Sequence, residues 1–350
     1  MEWSPEQDGA LRAVSQWLAG GESQVFRLFG YAGTGKTTLA RHFAEDLTGK
    51  TLFGAFTGKA ALVMRSKGCK NASTIHSMIY TLDDEGGGSP RFTLDPRSAL
   101  TKAALCVIDE CSMVDAELGR DLLSFGIPVL VLGDPEQLPP VKGAGFFTEA
   151  APDFMLSQVH RQARDNPIIR MSMDVREGHR LQLGQYGESR IVARDEITPD
   201  DVLSAEQILV GSNATRRKYN QHLRALREIE NDMPEIGERL VCLRNNRAKG
   251  LLNGGIWTVA DIELETDKTI KMILDPVDAG GRRKTARVIV RKEFFLGAGD
   301  KLSWPERKDT DEFDFGYALT VHKSQGSQWN DVFLFDQSAL FRDFARRWLY

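Results

Sequence analysis

The stretch Phe29-Gly30-Tyr31-Ala32-Gly33-Thr34-Gly35-Lys36-Thr37-Thr38 constrains this chain more than any other. It fits G-x-x-x-x-G-K-[ST], with Gly30, Gly35, Lys36 and Thr37 at the fixed positions. The apolar run Val25-Phe26-Arg27-Leu28-Phe29 before it reads as a buried strand, and the residues from Thr37 to Ala44 read as a helix. Strand, glycine loop and helix start make an anion cradle, because free backbone N–H groups and the positive helix end point at one place. Lys36 would reach the outer phosphates, and the Thr37 hydroxyl would ligate Mg2+. A nucleoside triphosphate is therefore expected, on an α/β fold.

The rest of the chain can be read around that ligand. Ser4 can cap a helix with Pro5 at its first position, and Ala10, Leu11, Val14, Trp17 and Leu18 recur at helical spacing. Gln7 on that helix is either a surface residue or a reader of an adenine edge, with one donor and one acceptor to offer. Residues 52–57 read as a second buried strand, which puts Thr57, Gly58 and Lys59 at a strand's carboxyl end, where α/β sheets place ligands. Thr74 reads as the cap of a helix carrying His76. Residues 83–90, rich in glycine and acid, read as a loop or hairpin tip, with 91–94 as one strand of that hairpin. Leu105-Cys106-Val107-Ile108 reads as a strand ending in Asp109-Glu110. After a phosphate loop, such a pair supplies a magnesium carboxylate, Asp109, and a base for the attacking water, Glu110. Gln137, in a proline-bounded loop after the strand at 128–132, would sense the terminal phosphate at the same edge.

The second half repeats the α/β theme more faintly. Residues 207–212 read as a strand, followed by a helix with Arg216, Arg217 and Lys218, best read as a solvated face. Between about 241 and 302 the pattern changes to short alternating strands. Asn253-Gly254-Gly255 is a hairpin signal, which suggests a small β-barrel inserted in a second α/β domain. The 350 residues suit about two domains. No apolar run approaches the length of a membrane span, and the N-terminus lacks the basic start and apolar core of a signal peptide. Four cysteines without C-x-x-C spacing argue against zinc and disulfides and suit a reducing cytosol. The net charge of −4 leaves room only for a local basic groove as a nucleic-acid surface.

Taken in order, the motifs resemble those of superfamily 1 helicases, and most of all the group B branch of RecD-like and Dda-like enzymes. They are Gln7, the phosphate loop, Thr57-Gly58-Lys59-Ala60-Ala61, Thr74-Ile75-His76, Asp109-Glu110-Cys111-Ser112-Met113-Val114-Asp115, Gly133-Asp134-Pro135-Glu136-Gln137-Leu138-Pro139-Pro140, His160-Arg161-Gln162 and Thr320-Val321-His322-Lys323-Ser324-Gln325-Gly326. The resemblance covers nearly the whole chain. It implies two RecA-like P-loop domains with parallel sheets, a hairpin insertion in the first and an SH3-like β-barrel in the second. The expected division is 1–152 for the first domain, with the strand-separating pin inserted at 80–100. The second domain would take 153–243 and 311–350, and the barrel 244–310. The resemblance further implies ATP and Mg2+ between the domains and single-stranded DNA across their tops. Gln7 would then read adenine, and Gly33, Thr34, Gly35, Lys36, Thr37 and Thr38 would hold phosphates. Gln137 and Arg161 would touch the γ-phosphate. Thr57, Lys59, Thr74, His76, Thr320, His322 and Lys323 would lie along the DNA. For His76 and His322 the competing reading is a satisfied helix-start or core histidine. Single strands, duplex–single-strand junctions and replication or recombination proteins are the implied partners, no membrane is involved, and group B members move 5′ to 3′.

The chain departs from the family pattern at two places. Gln328 stands where the family usually has Glu, and the Thr-Arg-Ala motif that would supply a second arginine lies past Tyr350. The expectations from this are poor hydrolysis, a mobile or unpaired last helix, and a solvated role for Arg346 and Arg347. The competing functions are a nucleic-acid-binding relative without a working motor and an RNA helicase.

Overall fold

A computed structural model describes residues 3–83, 91–140, 143–159, 165–277 and 284–350. Its centre is a six-stranded sheet. In chain order the strands are β1 (Val25–Gly30), β2 (Thr51–Ala55), β3 (Ser73–Thr74), the outlying hairpin β4 (Tyr80–Asp83) and β5 (Arg91–Leu94), then β6 (Leu105–Asp109), β7 (Val129–Gly133) and β8 (Phe154–Leu156). The sheet runs β3-β2-β6-β7-β1-β8, and every pairing within it is parallel.

A parallel sheet needs cover on both faces, and the strand sequences provide it with a period of two. In β1, Phe26 and Leu28 pack with Val14, Leu39 and Met64 on one side, while Val25 and Phe29 pack with Ile75, Leu122 and Phe147 on the other. Those side chains belong to α1 (Pro5–Gly20), α2 (Lys36–Asp46), α3 (Gly58–Ser66), α4 (Ile75–Ile79) and α5 (Ala116–Leu123), with Phe147 from the loop beyond β7. The cap on α1 forms as expected and adds a reciprocal bond. Ser4 Oγ accepts from the Gln7 backbone, and Gln7 Oε1 accepts from the Ser4 N–H. The hairpin strand expected at 91–94 pairs antiparallel with β4; the rest of the expected tip, 84–90, lies outside the described residues.

The first sheet runs past the expected boundary at 152. Strand β8 pairs with β1 from Leu28↔Phe154 to Gly30↔Leu156, so the sheet claims residues through 156. A two-stranded ribbon, β9 (Gly184–Tyr186) and β10 (Ser189–Ile191), follows helix Pro167–Arg176. The second parallel sheet is small: β11 (Gln207–Val210) lies between β17 (Ala318–Thr320) and β18 (Val332–Leu334). Between β11 and β17 the chain builds a five-stranded antiparallel sheet of β12 (Arg239–Cys242), β13 (Ile256–Glu265), β14 (Thr269–Pro276), β15 (Ala286–Arg291) and β16 (Phe313–Phe315). The order is β15-β14-β13-β12-β16. Outside the expected limits of 244 and 310, β12 and β16 pair with each other inside this sheet. A bridge between Val290 and Asp311 brings the two edges together.

Polar contacts join the antiparallel sheet to helix Asn213–Leu226. Arg224 makes a bidentate pair with Glu238, at 2.8 and 3.0 Å, and Tyr317 Oη donates to the same carboxylate at 3.1 Å. Arg216 donates to Asp314 at 2.7 Å. The solvated face holds for the exposed Arg217 and Lys218, but Arg216 is a buried ion pair.

Candidate active site

The phosphate loop occupies the turn from β1 to α2. Gly33 and Gly35 have φ of 77° and 85°, which side-chain-bearing residues adopt only under strain. A Cβ on Gly30 would lie 2.7 Å from Leu156 Cβ and 2.7 Å from Thr34 Oγ1, so the loop closes tightly over the strand end. Thr34 is buried, its hydroxyl donating to the Tyr31 carbonyl at 2.8 Å, and Thr38 is half-buried in the first turn of α2. The Lys36 ammonium folds back onto the loop, donating to the carbonyls of Gly30 at 2.5 Å and Tyr31 at 3.0 Å. Gln7 is buried rather than on the surface, and its Nε2 donates to the Thr34 carbonyl at 3.2 Å.

Across the loop, at the carboxyl end of β6, Thr37 Oγ1 donates to Asp109 Oδ2 at 2.9 Å. Asp109 Oδ1 accepts from the Glu110 N–H at 2.9 Å. Glu110 stands in the left-handed region at φ 54°. Burial, and then the adjacent Asp109 charge, push its carboxyl from 4.5 up to about 7, with Lys36 acting the other way. One hydroxyl and one carboxylate form an oxygen donor set suited to Mg2+, which keeps most of its water and shares phosphate oxygens. The residues present therefore fit a Mg2+–nucleotide.

Gln137 is oriented by Ser112, whose hydroxyl lies 3.4 Å from Gln137 Oε1. Arg161 lies outside the described residues. Sequence reasoning missed Asp134 and Tyr350. Asp134 is buried at the end of β7, accepting from the Glu136 N–H at 3.0 Å and from Tyr350 Oη at 2.6 Å. Asp134 stands inside a motif already quoted, but no pattern announces a partner 216 residues away. Tyr350 follows the last helix, Ala345–Leu349, which was expected to be mobile or unpaired; instead Trp348 is buried and stacked on Phe341. Arg346, expected on a solvated face, is exposed but donates to Glu136 Oε2 and to the Arg176 carbonyl, each at 3.0 Å.

The residues expected along DNA lie at strand or helix ends of the two parallel sheets. Thr57, Thr74 and Thr320 are helix caps, accepting from the N–H groups of Ala60, Ser77 and Lys323 at 3.1, 3.2 and 3.3 Å. His76 sits among aromatic rings, 5.9 Å from Phe56, 5.8 Å from Tyr80 and 6.2 Å from Phe92. His322 lies 5.6 Å from Phe341. Burial lowers the pKa of both histidines, His76 partly offset by Asp115, which favours neutral rings. Burial, and then Arg216, bring Lys323 down to about 8. Here the two halves touch: Lys59 Nζ lies 4.3 Å over the Trp329 ring, and a Cβ on Gly326 would come within 2.7 Å of Ala60 Cβ.

Comparison with known proteins gives the same picture from outside. Residues 2–195 match the AAA domain family model, and 315–350 match the UvrD-like helicase C-terminal domain. The ATP-dependent RecD2 DNA helicase of Deinococcus radiodurans is 31% identical over 91% of this chain and 44% of its own length. The ATP-dependent DNA helicase dda of Enterobacteria phage T4 is 34% identical over 43% of this chain and 37% of its own length. The chain thus spans less than half of these curated relatives. In fold it is similar to the Bacteroides Pif1 helicase solved with ADP-AlF3 and ssDNA, at a TM-score of 0.57 and 20% identity, covering 99% of this chain and 90% of that one.

Proposed function

We propose that this chain, which belongs to the AAA-domain family, is an ATP-driven DNA motor of the superfamily 1 group B helicase type that moves on single strands and opens duplexes. The observation that carries this reading is the joint between the two parallel sheets. Thr37, Asp109 and Glu110 meet in the first, and the second reaches the same edge through Tyr350–Asp134 and Trp329–Lys59. Such a joint can turn hydrolysis into relative motion of the two halves.

Bound Mg2+–ATP would supply the transferable phosphoryl group and the cation that neutralises it. Lys36 and the loop amides hold the phosphates, and Thr37 and Asp109 hold the cation. Glu110, its carboxyl raised to about 7, takes the proton of the attacking water at its carboxylate. Gln7 orients the adenine, and Gln137 and Arg161 contact the terminal phosphate. The strand would cross Thr57, Lys59, Thr74, His76, Thr320, His322 and Lys323. We divide the chain into a first domain of residues 1–156, a second on either side of the 239–315 sheet, and that sheet as the SH3-like insertion. The working compartment is the cytoplasm of a bacterium or a phage-infected cell.

The test is ATP turnover with and without oligo(dT) or oligo(U), followed by unwinding of duplexes with a single-stranded tail. Turnover that rises with DNA, together with opening of 5′-tailed substrates, is expected. Equal turnover with and without DNA would remove the motor reading, stronger stimulation by RNA would change the substrate, and opening of 3′-tailed duplexes alone would reverse the polarity.

A further inference from the structure

We propose that Tyr350 is a positioning residue of the nucleotide site, tied through Trp348 and Phe341 to His322 at the nucleic-acid edge, so that the last helix couples the two sites. The proposal rests on the helicase reading above. Tyr350 Oη donates to Asp134 Oδ2 at 2.6 Å and accepts from the Ala32 N–H at 3.3 Å. Ala32 belongs to the phosphate loop, and Asp134 follows the strand beside β1. One hydroxyl from the second half therefore pins two walls of the phosphate cradle. Burial and the Asp134 carboxylate hold the phenol well above its ordinary range, so it stays a donor at physiological pH.

The helix carrying Tyr350 is held at the same place by other contacts. Arg346 bridges Glu136 and the Arg176 carbonyl, and the Arg176 guanidinium lies 3.7 Å from the centre of the Tyr31 ring in the phosphate loop. In the other direction, Trp348 is 2% exposed and stacked on Phe341, with centroids 5.4 Å apart and planes 14° apart. Phe341 in turn leans on His322 at 5.6 Å. Stacked rings held against the buried Trp348 move together, because a close-packed contact resists compression. A phosphate oxygen beside Ala32 competes with Tyr350 for the N–H and repels Asp134. A strand laid against His322 displaces Phe341. Both ligands thus bias the position of one short helix, which is what coupling between two sites requires.

The experiment measures the affinity for Mg2+–mant-ADP and the ATP turnover of this chain, with and without oligo(dT). It compares the parent with Tyr350→Phe, Phe341→Leu and Phe341→Tyr, and thermal midpoints confirm folding. In the parent, oligo(dT) is expected to change nucleotide affinity or turnover by roughly 5-fold or more, within the usual range for coupled sites. Tyr350→Phe and Phe341→Leu should bring that factor to within about twofold of one, and Phe341→Tyr, which keeps the stack, should retain it. A folded Tyr350→Phe protein with the parent's factor would overturn the proposal and leave the helicase reading standing. A parent with no DNA effect at all would overturn both.

Discussion

Replacing Glu110 with Gln should slow turnover and stabilise the fold at once, and each effect has a sign set by the site. Glu110 is half-buried beside Asp109, and its carboxyl rises from 4.5 to about 7. A carboxyl raised on folding makes its ionised form a burden on the native state. At about 1.4 kcal/mol per pH unit, the gap between 4.5 and about 7 corresponds to about 3 kcal/mol. Partial solvent access lowers that, so about 1–3 kcal/mol is expected. Below pH 4.5 both the folded and unfolded chains hold the proton, and nothing is lost. The burden grows between 4.5 and about 7 and is complete above it. Glu110→Gln should therefore be more stable than the parent by about 1–3 kcal/mol at pH 8 in EDTA, and equal to it near pH 4.5. The same variant loses the proposed base, which should cost about 10²–10⁴-fold in turnover, or about 3–5 kcal/mol of barrier. Nucleotide affinity should hold, since Lys36, Thr37 and Asp109 are untouched. Denaturant melts at the two pH values, with binding and turnover on the same samples, check every part. A variant destabilised at pH 8, or turning over like the parent, would refute the reasoning.

Lys36→Ala should abolish measurable turnover while leaving the thermal midpoint within a few degrees, because among the described residues the ammonium bonds carbonyls of its own loop. His76→Ala and His322→Ala should each weaken oligo(dT) binding without changing nucleotide affinity, and titrations at rising salt should show affinity falling as counterions are released; parent-like binding by both variants would move the strand elsewhere. Arg224→Met should cost about 3–5 kcal/mol in urea unfolding, because it leaves the Glu238 carboxylate buried without its bidentate partner.

The elements with strong local signals were legible. A glycine loop between an apolar strand and a helix, or an apolar run ending in Asp109-Glu110, carries its structure within ten residues. The antiparallel sheet was visible through alternation, as in β15, whose buried and exposed residues follow one another. Its limits were not, because β12 and β16 are four and three residues long, too short for a period to show, and only their pairings with each other and with β13 assign them. Likewise β8 is three residues long, and what makes it part of the first sheet is β1, more than a hundred residues earlier. Arg216 looked solvated because charge on a helix normally is. Its acceptor, Asp314, and that of Arg224, Glu238, come from other elements, and no periodicity in the helix points to them.

The threonines proposed to lie along the nucleic acid show why local reading also left the site's chemistry ambiguous. Thr57, Thr74 and Thr320 each cap a helix, a duty that alone explains a threonine after a strand. A cap hydroxyl accepts from a backbone N–H, yet its own proton remains available to an acceptor such as a phosphate oxygen. The two roles are therefore compatible, and Ala substitution cannot tell them apart, since it removes about 1 kcal/mol of cap along with any contact. Serine can, because it keeps the hydroxyl and drops only the methyl group. Where Thr→Ser preserves both the melting temperature and DNA affinity, the hydroxyl carries the function. Where it preserves melting alone, the strand rests on the methyl group.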